Sequence, residues 1–103
     1  MDSATARVPT ASGSKYLQQL CKHWQHNLTV EFTPEHGTVV FPKDARGADH
    51  PGDGLVTFDA RPETLDVRID ATSPAQLEGL KGAVARHLDR FAFREAPLAF
   101  DWK

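Results

Sequence analysis

The hydrophobic pattern of this chain changes its period twice, and that change most constrains the fold. Around residues 16–24, and again after residue 74, apolar side chains recur every three or four positions, as they do along one face of a helix. Between these stretches lie four predicted strand segments, LTVEFT, TVVF, LVTFDA and LDVRIDA, and apolar and polar residues alternate in the first and the last of them. Two amphipathic helices and a one-sided sheet can bury their apolar faces against each other. The pattern therefore predicts an α+β two-layer sandwich, in which two helices cover one face of an antiparallel four-stranded sheet.

The second helix has well-defined start and stop signals. Ser73 is a predicted N-cap, Pro74 suits the first helical position, and Gln76 stands at the capping-box position. We expect the helix to end near Phe91 or one residue later, because a longer helix would turn Phe93 away from the apolar face. That face is predicted to consist of Leu77, Leu80, Val84, Leu88 and Phe91.

Three glycines call for an explanation. Gly79 and Gly82 each cost roughly 1 kcal/mol relative to alanine inside a helix. We expect them to mark the close approach of a neighbouring element, with a hinge as the alternative. Gly37 follows Pro34 between two strand segments, and we expect it to supply a positive φ in a hairpin turn.

The length and the ends of the chain predict its domain organisation. A chain of 103 residues is one domain. Residues 1–11 are small, polar and aperiodic, so they are predicted to be a disordered tail, with a single α+β domain over 12–103. The first helix should begin near Ser12 or Ser14, both of which can cap it. The C-terminal stretch PLAFDWK is apolar at alternate positions, which is typical of an edge strand or of an extended segment that closes the core.

Composition argues against several classes of partner. The formal net charge is -2, so no overall field attracts nucleic acid, and no stretch is apolar enough for a membrane span. A lone cysteine, Cys21, fits a reducing compartment, and we expect it to be buried and structural. We therefore expect a cytoplasmic protein without a nucleic-acid or membrane partner. Its oligomeric state stays open.

Candidate ligand-binding residues gather around the end of the second helix. His87 lies on the flank of the apolar face, where a half-buried histidine usually bonds a carbonyl or a carboxylate. Alternatively, it joins His23 and Glu95 in a polar pocket able to take a metal ion, a phenolate or a carboxylate. Arg90 and Arg94 are expected to complement the helix dipole, or else to bind an anion. The candidate ligand-binding set is His23, His87, Arg90, Arg94 and Glu95.

A metal site has a second candidate pair. His23 and His26 stand three positions apart on the first predicted helix, a spacing that would let one ion bridge both rings. Solvated or capping histidines are the alternative. The sequence has no phosphate loop, no pair of cysteines and no catalytic triad order, so no cofactor is expected.

Two motifs resemble those of an uncharacterised bacterial family of about the length of this chain. The motifs are SKYLQQLCKHWQHN and HLDRFAFREAPLAFDW, and the resemblance extends over 12–103. It rests on Tyr16, Leu20, Cys21 and His23 in the first motif and on His87, Arg90, Phe91 and Glu95 in the second. The resemblance implies a small α+β protein associated in some genomes with siderophore-interacting flavoproteins of iron uptake.

Three functions from different classes follow. The first is a small binding or accessory protein, linked through the resemblance to iron or siderophore handling and partnered by a small ligand or a siderophore-related protein. The second is a protein-interaction or homodimerising module that docks through exposed aromatics such as Trp24 or Trp102. The third is a small enzyme with His87 as general base. No nucleophile or cofactor motif accompanies His87, so the binding protein is preferred over the enzyme.

Overall fold

The computed structural model describes residues 2–44, 50–95 and 98–103. Its elements, in chain order, are β1 (Asp2–Pro9), α1 (Gly13–Trp24), β2 (Thr29–Phe32), β3 (His36–Phe41), β4 (Gly54–Ala60), β5 (Thr64–Ala71) and α2 (Pro74–Phe91). The predicted α+β class, the two helices and the antiparallel sheet are confirmed. The sheet has five strands in the order β1-β5-β4-β3-β2, so the predicted number of four is wrong.

The additional strand is β1, in the segment that was expected to be a disordered tail over 1–11. It runs antiparallel to β5, from Asp2 opposite Ala71 to Pro9 opposite Thr64. Its inward side chains are small, so the alternation of apolar and polar residues that is typical of a strand was weak in the sequence. Pairing with β5 supplies the backbone hydrogen bonds that such a segment could not make alone. The buried residues of β1 are Ala4, Ala6 and Val8.

The core lies along the inward-facing side chains of the sheet. Alternate residues are buried in β3, β4 and β5, and both helices contribute to the same hydrophobic cluster. The fully buried side chains with the largest volumes include Leu17, Leu20, Phe58, Leu65, Ile69 and Leu88. No helix within the described residues is long and apolar enough to cross a membrane.

Two strand glycines allow the helices to approach the sheet closely. A Cβ at Gly37 in β3 would lie 2.9 Å from Sγ of Cys21, and one at Gly54 in β4 would lie 2.6 Å from Cδ1 of Leu80. Neither contact leaves room for a larger residue without a shift of the helix side chain. Gly37 therefore lies within β3, where it allows α1 to pack closely, and its predicted role in the hairpin turn is wrong.

The start of α2 follows the capping prediction. Oγ of Ser73 accepts a hydrogen bond from the Gln76 amide at 3.1 Å, and Pro74 occupies the first turn. The side chain of Gln76 reaches one residue further than a capping box requires, because Oε1 accepts from the Thr72 amide at 2.7 Å. Its Nε2 donates to the Gly52 carbonyl at 2.9 Å. The helix ends at Phe91, as predicted.

The C-terminal stretch is an extended segment in its described part, residues 98–103, and residues 96 and 97 lie outside the described chain. It meets β1 through one reciprocal pair of backbone hydrogen bonds, in which the amides of Thr5 and Lys103 donate to each other's carbonyls at 3.0 and 2.8 Å. Phe100 and Trp102 stack with ring centroids 5.5 Å apart. The segment thus packs against the core without becoming a further strand.

Strand β1 can be tested through one buried and one exposed residue. Val8→Ala should lower the free energy of unfolding by about 2 kcal/mol, because it removes buried methyl groups and leaves a cavity. Thr5→Ala, on the exposed face of the same strand, should change it by less than about 0.5 kcal/mol. Urea denaturation measures both. Equal, small effects would mean that the segment does not pack in the native state.

The thiol of Cys21 should be unreactive in the folded protein. It is fully buried, and burial raises its pKa to about 11. Since the thiolate is the nucleophile, the native chain should react with iodoacetamide more than about tenfold more slowly than the unfolded chain. Labelling in buffer and in denaturant, followed by mass, measures the difference. Equal rates would show that the packing of α1 on β3 opens readily.

Candidate functional site

His87 is held by its own helix and by aromatic neighbours from α1. Its Nδ1 lies 2.6 Å from the Ala83 carbonyl oxygen, one turn earlier in α2. A carbonyl only accepts, so Nδ1 donates and carries a proton. The ring centroid of His87 lies 5.5 Å from that of His23 and 5.1 Å from that of Trp24. The chain thus brings His23 and His87 together, as the sequence analysis anticipated.

Glu95 lies with a different group of residues. Its carboxylate accepts hydrogen bonds from the Tyr16 hydroxyl and from Oγ1 of Thr10, the latter at 3.0 Å. Both donors flank the start of α1, whereas His23 and Trp24 stand at its end. The bond to Glu95, then burial, then the negative charge of Glu95 raise the pKa of the Tyr16 hydroxyl. The predicted set is therefore divided between the two ends of α1.

The remaining candidates lie at the surface. Arg90 and Arg94 are exposed, and the guanidinium of Arg94 lies 5.7 Å from the centroid of the Phe93 ring. Neither arginine contributes to the pocket described below. Their proposed role as anion ligands stays a prediction.

The second histidine pair does not have the predicted helical geometry. Helix α1 ends at Trp24, so His26 lies beyond it and does not share a helical face with His23. Within the ranges that the structure describes, no group of three or more His, Cys, Asp or Glu side chains could hold a metal ion. Metal binding by His23 and His26 stays a prediction.

A pocket of about 300 Å³ opens where the end of α1, the end of β3 and the middle of α2 meet. His87 forms part of its wall. The other lining residues are Trp24, Phe41, Pro42, His50, Gln76, Gly79, Leu80, Ala83 and Arg86.

One side of the pocket is an aromatic corner. Trp24 and Phe41 meet edge to face, with centroids 4.9 Å apart and an interplanar angle of 84°. His87 joins Trp24 on the α2 side. These rings come from α1, β3 and α2, so the helices and the sheet must all be in place before the corner exists. It offers ring surface for stacking beside polar N–H groups.

His50 brings a second imidazole to the wall from the segment before β4. Its Nδ1 lies 3.4 Å from Oγ of Ser73, the cap of α2. Nearby, Oγ1 of Thr72 bonds both the amide and the carbonyl of Gly52, each at 3.2 Å. These bonds tie the segment that carries His50 to the start of α2.

Neither of the two glycines of α2 admits a neighbouring element of the described chain. A Cβ at Gly79, which lines the pocket, would meet no side chain and no other element of the described chain within 4 Å. A Cβ at Gly82 would lie 2.8 Å from Nη1 of Arg86, a side chain of the same helix. The expected close approach is therefore wrong at both positions. Gly79 borders the pocket and faces open space, and Gly82 leaves room for a guanidinium.

The sequence suggested a pocket that joins His87 to His23 and Glu95, but neither of those two residues lines this one, and most of its lining was not predicted. Phe41 and His50 are distant from α2 in sequence, and only the fold brings them to it. Arg86 gave no signal of its own. The available signal was the pair Gly79 and Gly82, two costly residues on a helix that is otherwise regular.

Comparison with known proteins gives a family and a fold. The family model described as "Uncharacterized protein conserved in bacteria (DUF2218)" matches residues 5–103. No curated protein shows significant similarity to the chain. The solved structure "NMR structure of PA4090 from Pseudomonas aeruginosa" is similar at 30% identity and a TM-score of 0.76, covering 100% of this chain and 96% of that one. The chain therefore belongs to the DUF2218 family of uncharacterised bacterial proteins.

Proposed function

We propose that this protein is a small ligand-binding protein and that its ligand occupies the pocket between α1, β3 and α2. The observation that carries the proposal is Gly79. A glycine inside a helix costs roughly 1 kcal/mol, and here it borders open space in the pocket instead of a packed neighbour. A side chain at this position would project toward the space that a ligand would fill.

The shape and chemistry of the pocket support the same proposal. Its volume of about 300 Å³ is at the lower end of the range for small-molecule sites, roughly 300 to 1,000 Å³. Such sites combine apolar and aromatic walls with a few placed polar groups. Trp24, Phe41 and Leu80 supply the apolar walls, while Arg86 and His87 supply polar groups.

The layer arrangement, the cellular role and the location of the protein are proposed on other grounds. We place both helices on one face of the sheet, as a two-layer sandwich, because they share one hydrophobic cluster. An accessory role in iron or siderophore handling, and a cytoplasmic location, are hypotheses that rest on the family resemblance and on composition.

For a protein-interaction module, the exposed aromatic residue differs from the two that were expected. Trp24 is only 6% exposed and belongs to the pocket wall, and Trp102 is half-buried against Phe100. Phe93, 71% exposed, is the large apolar side chain at the described surface that a partner could contact. A single exposed side chain supports a docking function less strongly than a pocket formed by three elements supports ligand binding.

Ligand binding can be tested with a matched pair of helix variants. A panel of small aromatic compounds should shift the amide resonances of Trp24, Gly79, Ala83 and His87 in heteronuclear NMR spectra. Gly79→Leu should abolish those shifts by filling the pocket. Ala75→Leu, on the same helix outside the lining, should leave them intact. Compounds that bind elsewhere, or bind Gly79→Leu equally well, would contradict the proposed site.

The open space beside Gly79 also leads to a prediction about stability. Gly79→Ala should raise the free energy of unfolding by about 1 kcal/mol, because alanine favours the helix and its methyl group enters open space. Thermal and urea denaturation measure the gain. Destabilisation would show that position 79 is packed in the native protein, and the pocket would then be smaller than described.

A further inference from the structure

The charges of the residues that line the pocket favour a negatively charged ligand. Among the described residues that line it, Arg86 has a formal charge at neutral pH and none is acidic. His50 and His87 add two imidazoles, which bring no negative charge. This contrasts with a chain whose net charge is -2. A negative group in the pocket would meet a cation and no carboxylate from the described lining.

The position of Arg86 makes its guanidinium available to a ligand. The side chain lies back along α2, where the missing Cβ of Gly82 leaves space for Nη1. No ion pair joins Arg86 to an acidic side chain in the part of the chain that the structure describes. Three other arginines, Arg7, Arg61 and Arg68, do have such partners, and Arg61 lies 2.6 Å from Asp66. An arginine at a pocket without an acidic partner can form a bidentate pair with an incoming carboxylate.

The walls favour a flat, aromatic body for that anion. The indole of Trp24 and the rings of Phe41 and His87 form one side of the pocket, and Leu80 and Pro42 add apolar surface. Planar rings gain from offset or edge contacts with such surfaces beyond simple burial. A phosphate dianion would find only one formally charged partner here and would leave the aromatic corner uncovered.

From this arrangement we infer that the ligand is a planar aromatic carboxylate, with its ring against Trp24 and Leu80 and its carboxylate paired with the guanidinium of Arg86. The inference rests on the proposed function, because it names the class of ligand for the same pocket. Charge complementarity selects the carboxylate, and the aromatic corner selects the ring.

Three naphthalene probes of nearly equal shape test the ligand class. They are naphthoate, naphthamide and naphthylmethylamine, which carry an anionic, a neutral and a cationic group. Titrations would follow Trp24 fluorescence in a Trp102→Phe background, which leaves one indole as reporter. Naphthoate should bind at least about tenfold more tightly than naphthamide, because charge-assisted hydrogen bonds are roughly twice as strong as neutral ones, and a gain of about 1.4 kcal/mol is tenfold in affinity. The amine should bind most weakly.

Two arginine variants on the same helix test the assignment to Arg86. Arg86→Gln should abolish the preference and lower the affinity for naphthoate to near that for naphthamide. Arg90→Gln, one turn further and outside the pocket lining, should keep the full preference. Both side chains are exposed, and dispersed NMR spectra would verify that each variant is folded.

The outcomes distinguish a failure of the carboxylate inference from a failure of the proposed pocket. Equal affinity for naphthoate and naphthamide, or tighter binding of the amine, overturns the carboxylate inference and leaves the proposed pocket standing. Loss of the preference in Arg90→Gln to the same extent as in Arg86→Gln overturns the role of Arg86. A failure of all three probes also overturns the inference, whereas the proposed function falls if the wider aromatic panel gives no shifts at the pocket or binds Gly79→Leu equally well.

Discussion

The close approach of α2 to β4 is the contact on which the rest of this structure depends. Leu80 rests against the backbone at Gly54, where a methyl group would already be too large. One turn earlier, Gln76 fixes the helix start through bonds to Thr72 and Gly52. These contacts set the height and the rotation of α2 on the sheet. They therefore also decide which side chains of α2 face Trp24 and Phe41 across the pocket.

The division between packing and function along α2 follows from its rotation on the sheet. Val84 and Leu88 are fully buried on the inner face, while Gly79, Ala83 and Arg86 border the pocket on one flank. The helix tolerates two glycines because buried leucine and valine, more than intrinsic propensity, hold it in place. Sites that break a local rule in a regular element are often functional, which is why these glycines carry weight here.

Much of the fold was predictable from period and capping. The alternation of Leu65, Val67 and Ile69 predicted β5, and Ser73 with Pro74 predicted the start of α2. Strand β1 was missed because Ala4 and Ala6 bury little apolar surface and gave no visible period. What defines β1 is a free strand edge on β5, and a free edge is a property of the assembled sheet.

The site was predictable only in part, because it is assembled from distant segments. The rings of His23 and His87 lie together, as the alternative of a shared pocket required, because both belong to helices that contribute to one hydrophobic cluster. Glu95, expected beside them, instead bonds Tyr16 and Thr10 at the other end of α1. The spacing of residues along a helix predicts the face on which a residue lies. It does not predict which turn of a neighbouring helix that residue contacts.

The most direct test of the central claim is a measurement of intermolecular nuclear Overhauser effects between bound naphthoate and the isotope-labelled protein. The account predicts contacts from the ring protons to the Leu80 methyl groups, to the α-protons of Gly79 and to the indole of Trp24. Contacts confined to the exposed surface around Phe93 would contradict it, because the ligand would then occupy another site and the pocket would have no part in binding.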